Sequence, residues 1–401
     1  MDANKVHVKY VLDRDKLESC DIVLSRVSWD WDVFGDALKS HLIRMGSKDY
    51  SHAMLYFDGS ILHAHLPMVF ATNPQRVWAV QDDDCLSLRC PILTSNQKAG
   101  IEAYAREHVG ALYSTMEAVQ TPLRKKGKAC SVSGKEFCSR LVAEAYASVG
   151  ISLVDNSSFC APGDFLKSKN LKQMGPCTRI ATDIDVNIIK SKDYVLLSQN
   201  RTYDLLENVR ILAKQDGFEI TTFKSVVEYV QQHPLRDAKV AQLFLQTHYF
   251  ETWKEEADAH RYRYDLLAYK QWASLYPQYA KVGLSSMFDC VGRYGDALLI
   301  LDGIHANLRT IAQLVACYRK MLQDIAKRLQ IPIVLCMGRT EVGPLANLCA
   351  ICDHLVNGTY RQFYSLGVTE EVQQLKFQWQ QASLCSEHLV GTLNGPLRDQ
   401  S

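Results

Sequence analysis

Residues 48–65 read KDYSHAMLYFDGSILHAH, two apolar runs joined by Asp58-Gly59. A strand sends alternate side chains to opposite faces. His52, Met54 and Tyr56 therefore share one face, Ala53, Leu55 and Phe57 the other, and Ile61, His63 and His65 share a face on the next run. An Asp-Gly pair between two such runs is a hairpin turn. The segment is expected to form an antiparallel hairpin, and if it does, His52 and His63 lie near its open end, where one polar contact could join them. Taken singly, each of these histidines reads as a satisfied or exposed side chain.

Strand-like runs recur around the hairpin, at Ile22–Leu24 and Leu86–Leu88, each bounded by turn residues. Helical periodicity follows: Ala99, Ile101, Tyr104, Ala105 and His108 share one face, as do Leu141, Val142, Ala145, Tyr146 and Val149. The first half of the chain is α+β. After about Ile188 the pattern becomes long and helical, as in Phe223, Val226, Val227 and Val230, and from Ile304 through Leu308, Ile311, Val315, Leu322, Ile325 and Leu329. A division into 1–187 and a mainly helical 188–401 follows. One alternative stays open, because Ala297–Leu301, the helix from Ile304 and Ile333–Cys336 also fit a β-α-β unit.

With 401 residues the chain exceeds what one core usually holds, roughly 250 to 300 residues, which supports two domains. A formal net charge of +1 supplies no global field for nucleic acid or a membrane surface, so none is expected as partner. The N-terminal MDANKVHVKYVLDRDKLESC lacks the apolar core of a secretory signal, and no run of about 18 apolar residues occurs, so a cytosolic protein without a transmembrane segment is expected. The 13 cysteines are scattered and odd in number, which suits reduced thiols buried as small hydrophobes.

Cys138 stands apart from the others. It directly precedes the amphipathic face that begins at Leu141, which places its sulfur near a helix N-terminus, where free N–H groups and the helix dipole lower a thiol pKa. A structural cysteine fits that place as well. With a strand-borne histidine, however, the requirement for a Cys–His pair is met: the imidazole takes the thiol proton and a third polar group orients the ring.

The segments CDIVLSR (20–26), YSHAMLYFDGSILHAH (50–65), VGALY (109–113), EFCSRLVAEAYASVGISL (136–153) and APGDFL (161–166) together resemble the permuted papain-like hydrolases of the YiiX-like group, within the NlpC-like superfamily. The resemblance covers roughly the first 170 residues, with the histidine before the cysteine as in permuted members. It implies a circularly permuted papain-like domain with Cys138 as nucleophile, His52 as general base and a third polar residue on the next strand. Many relatives carry glutamate at that third place. This chain has His63, as the lecithin-retinol acyltransferase branch does, with His65 as the other candidate. Tyr113 and Tyr50 are implied to line the substrate cleft.

The resulting expectation is a cysteine hydrolase of amidase or peptidase type that cleaves an amide, ester or thioester in a peptide, lipid or other acyl conjugate. In the family the amide is often in a cell-wall peptide, and delivery as a bacterial effector would reconcile that with the missing export signal. An acyltransferase or lipid hydrolase is the alternative, and an inactive fold used as a binding module the third reading. The chemistry calls for no metal or organic cofactor. Cys349, Cys352 and His354 lack a second CxxC pair and fit zinc poorly, Gly292, Gly295 and Gly338 complete no phosphate loop, and the Arg124–Lys128 run reads as a solvated loop that an anionic group could meet.

Overall fold

A computed structural model of the chain describes residues 9–26, 50–57, 59–65, 67–112, 137–276 and 307–337, with scattered positions between 280 and 304. The protein is a mixture of helix and antiparallel sheet, as expected of an α+β chain. It divides into two compact units, 1–229 and 230–401.

The described residues of the first unit form nine strands: β1 (Tyr10–Leu12), β2 (Ile22–Ser25), β3 (His52–Phe57), β4 (Ser60–His65), β5 (Met68–Thr72), β6 (Trp78–Ala79), β7 (Cys85–Arg89), β8 (Lys172–Pro176) and β9 (Thr178–Ile180). Six of them form one sheet in the order β5-β4-β3-β2-β7-β8, and β6-β1-β9 form a smaller one. The four runs read as strands from the sequence are β2, β3, β4 and β7. The hairpin pairs Leu55 with Leu62 and Phe57 with Ser60, with Gly59 at φ 87°, the left-handed conformation that the turn demands and glycine adopts freely.

Strand alternation sorts the core. Ile22, Leu24, Ala53, Leu55, Phe57 and Leu62 face helices α1 (Ser95–Glu107) and α2 (Cys138–Ala147), which add Ile101, Ala105, Val142 and Tyr146. Val23, Met54, Tyr56 and Ile61 face the other way, onto Leu12 of β1, Ala79 of β6 and the connecting Val77. Every residue of β3 is buried, because both faces of the sheet are covered at its centre.

Three further helices close this unit or lead out of it: α3 (Asp183–Lys190), α4 (Tyr194–Gln215) and α5 (Phe223–Gln232). Helix α4 packs on β5, so the first unit continues past residue 187, the limit expected from the change in sequence texture. Its contacts are with the sheet edge, which periodicity alone does not disclose.

The second unit contains α6 (Asp237–Gln246), α7 (Thr252–Ala259), α8 (Leu266–Leu275) and α9 (Arg309–Met337). The Asp237 carboxylate accepts hydrogen bonds from the N–H groups of Arg309 (2.6 Å) and Thr310 (2.9 Å), capping the first turn of α9. The β-α-β alternative is corrected here. Ile333–Cys336 continues α9, and the described positions from Ala297 to Leu301 are helical, because the apolar residues Leu308, Ile311, Leu314, Leu322, Ile325 and Leu329 keep one face of a long helix buried.

Candidate active site

The site lies where β3 and β4 part. The ladder between them runs from Phe57↔Ser60 to Leu55↔Leu62, whereas β2 follows β3 as far as Ser25↔His52. Helix α2 packs against both β3 and β4, with Leu141 set among Ala64, Val69 and Ala111.

Cys138 is the first residue of α2. Its N-cap residue, Phe137, is extended and supplies no side-chain cap to the helix, which leaves the opening N–H groups to other acceptors. Those of Cys138 and Ser139 favour negative charge on the Cys138 sulfur, as does the N–H of Ala53. The last belongs to the peptide that follows His52. Nucleophile candidate and histidine candidate therefore lie at the same end of β3, with α2 on the Ala53 face and the His52 ring on the other, and among the described residues no hydrogen bond joins the ring to the sulfur.

Buried charge and hydrogen bonds anchor the start of α2. The Arg140 side chain is wholly buried, donates from Nε (3.0 Å) and Nη2 (2.9 Å) to the Ser158 carbonyl, and lies over the Phe137 and Phe159 rings. The Ser139 hydroxyl donates to the Cys160 carbonyl at 2.6 Å. A guanidinium taken out of water must be hydrogen-bonded and charge-compensated. Glu144, one turn on, lies 4.0 Å away.

On the opposite face of the hairpin the histidines form a chain. His52 Nε2 and His63 Nδ1 are 3.0 Å apart, and His63 Nε2 is 3.1 Å from the Thr72 hydroxyl. His52, His63 and Thr72 are all buried. His65, on the same face, has its ring centroid 6.3 Å from that of His52 and 6.5 Å from that of His63. Burial holds the His52 pKa well below its ordinary value, helped by the neighbouring His63 and His65, and drives that of His63 down to about 3, again mainly through burial with His65 adding to it. Both rings are neutral at physiological pH.

No family model, no curated protein and no solved structure matches the chain.

The expectation of a low-pKa thiol at Cys138 is corrected. Burial raises its pKa above the ordinary value, and the N–H groups around the sulfur oppose that rise without reversing it. A helix start acts locally, whereas desolvation depends on everything packed over it. The alkylation rate of Cys138 by iodoacetamide should accordingly climb about tenfold per pH unit through neutrality and on past pH 9. A rate already level in mild acid would show a resting thiolate and contradict this.

Of the other sequence candidates, Tyr50 is a buried core residue with the Arg26 guanidinium over its ring at 5.2 Å. Tyr113, Arg124–Lys128, Gly292, Gly338, Cys349, Cys352 and His354 lie outside the described residues. Among the described residues no His, Cys, Asp and Glu group could hold a metal ion, the cysteines from Cys20 to Cys317 are free thiols, and no helix is long and apolar enough to cross a membrane. Thr72 escaped the sequence reading. Its signal is the register: β4 pairs with β5 as Ile61↔Thr72 and His63↔Phe70, which sets a hydroxyl diagonal to His63.

Proposed function

We propose that the first unit is a permuted papain-like cysteine hydrolase, in which Cys138 attacks the acyl carbon of an amide, ester or thioester. The observation that carries the reading is the hydrogen-bonded series Thr72–His63–His52, which ends at the strand position whose following N–H faces the Cys138 sulfur. A buried histidine with a purely structural role needs no second histidine in line with it. Two in series, backed by a hydroxyl, fix the orientation of the first ring.

The tautomers follow from the task. To accept the thiol proton on Nδ1, for which ring and sulfur must close up in the substrate complex, His52 carries its hydrogen on Nε2 and donates it to His63 Nδ1. His63 then carries its own on Nε2 and donates to Thr72. Since both the thiol and the imidazole rest neutral, proton transfer accompanies attack instead of preceding it, as with a serine nucleophile. The sulfur bonds to the acyl carbon, the carbonyl oxygen takes the negative charge, and the N–H groups at the start of α2 are the donors at hand to stabilise it. Collapse expels the leaving group, which takes the proton from His52. Water, deprotonated by His52, then attacks the thioester and regenerates the thiol.

A second reading shares every step up to the thioester and replaces water by an alcohol or amine. It is favoured by His63 at the third place, where the lecithin-retinol acyltransferase branch also has histidine. Turnover of a panel of peptide, phospholipid and thioester substrates, with and without added amine, separates the two. Hydrolysis predicts free acid at a rate that amine leaves unchanged, transfer predicts the amide as main product, and no turnover of any member speaks against both.

A further inference from the structure

Strand β5 is an edge of the six-stranded sheet. An edge strand leaves every second residue's N–H and C=O pointing away from its neighbour, and these groups need partners when covered. At Ala71 a single side chain supplies both. Gln199 of α4 accepts from the Ala71 N–H at 2.8 Å through Oε1 and donates through Nε2 to the Ala71 carbonyl. Its amide thus stands in for one rung of a further strand, and Gln199 is itself buried.

The placement of α4 is fixed at both ends as well. Arg76, just beyond β5, pairs with Asp193 at 3.1 Å and donates to the carbonyls of Ile189, Ser191 and Lys192, while Asp193 caps α4 through the Leu196 N–H. Near the other end, Arg210 donates to the Gly110 carbonyl at 3.1 Å, and Gly110 donates to Val69 of β5. Between these anchors Gln199 bonds the β5 backbone. The residue after Ala71 is Thr72, whose hydroxyl meets His63.

We propose that Gln199 is a positioning residue for the histidine pair: by holding both backbone groups of Ala71 it sets the Thr72 hydroxyl against His63, and through His63 the ring of His52. The proposal rests on the hydrolase reading for its kinetic consequence and on the geometry alone for its effect on the rings.

The test uses the full chain with Gln199→Met, which keeps the length and removes both polar atoms, and Thr72→Val as the direct loss of the hydroxyl. Gln199→Glu, which keeps the acceptor for the Ala71 N–H, serves if the methionine variant does not fold. Two quantities are read well below the melting temperature: the imidazole nitrogen NMR signals of His63, and kcat and KM on a small activated ester.

The His63 signals of the Gln199 variant should move in the same direction as those of Thr72→Val. Its kcat should fall by about ten- to a hundredfold, with KM held within about twofold. Unchanged ring signals together with a lower melting temperature would make Gln199 a structural strut only and overturn the proposal. Moved ring signals in a protein whose wild type hydrolyses nothing would uphold the positioning role and remove the hydrolase reading instead.

Discussion

Cys138→Ala should abolish turnover, with a loss of about 10³ or more in kcat, while the fold is retained. The expectation follows from the position of the side chain. Cys138 opens α2, and the anchoring of that helix start lies elsewhere, in Arg140 against Ser158, Phe137 and Phe159 and in Ser139 against the Cys160 carbonyl. Alanine suits a helix and removes only the sulfur. Thermal unfolding together with turnover checks the prediction. Equal activity in the variant would take Cys138 out of the chemistry, and a collapsed melting temperature would make it a packing residue.

The second large effect concerns acid. His52 and His63 are held neutral by burial, and in the unfolded chain each titrates near its ordinary value of 6.5. Below that pH the unfolded chain therefore binds more protons than the folded one. The stability contributed by the neutral rings is fully present above about 6.5 and is lost as pH falls, until the folded pKa is reached, about 3 for His63.

His63 contributes a slope of about 1.4 kcal/mol per pH unit, so by about pH 4.5 it has cost roughly 3 kcal/mol, a large share of the stability of many domains, and His52 acts in the same direction. Carboxylates protonate mostly lower, which leaves the interval from about 6.5 to 5 to the histidines. Hydrogen exchange of the β3 amides, measured as a function of pH in the wild type and in a His52→Gln, His63→Gln double variant, isolates the effect. The opening free energy of β3 should fall with pH in the wild type and stay nearly level in the double variant across that interval. A level wild-type profile would mean that the rings are solvated enough to charge in the fold.

What was legible in the sequence was whatever is decided locally. Alternation on either side of Asp58-Gly59 placed His52 and His63 on one face, because a hairpin of that turn type leaves little choice of register. The amphipathic face from Leu141 placed Cys138 at a helix start. Contacts across the chain were not legible. Gln199 lies 128 residues from Ala71, and nothing near a glutamine in a helix announces that it completes a sheet edge.

Nor does anything near Arg140 in the sequence announce that its side chain is wholly buried, over two phenylalanine rings. The direction of the Cys138 pKa failed for the same reason: the helix start is a local property, and burial is not. In the second unit, short apolar runs fit strand and helix alike, and only the packed face of α9 separates them.

The central claim is that Cys138 becomes acylated with His52 as base. Its most direct measurement is mass analysis of the protein quenched in acid during turnover of a small activated ester, with the modified peptide mapped. The account predicts one acyl group on the peptide that contains Cys138, formed far more slowly in His52→Gln and absent in Cys138→Ala. Acylation spread over other cysteines, or a rate on Cys138 indifferent to His52→Gln, would contradict it.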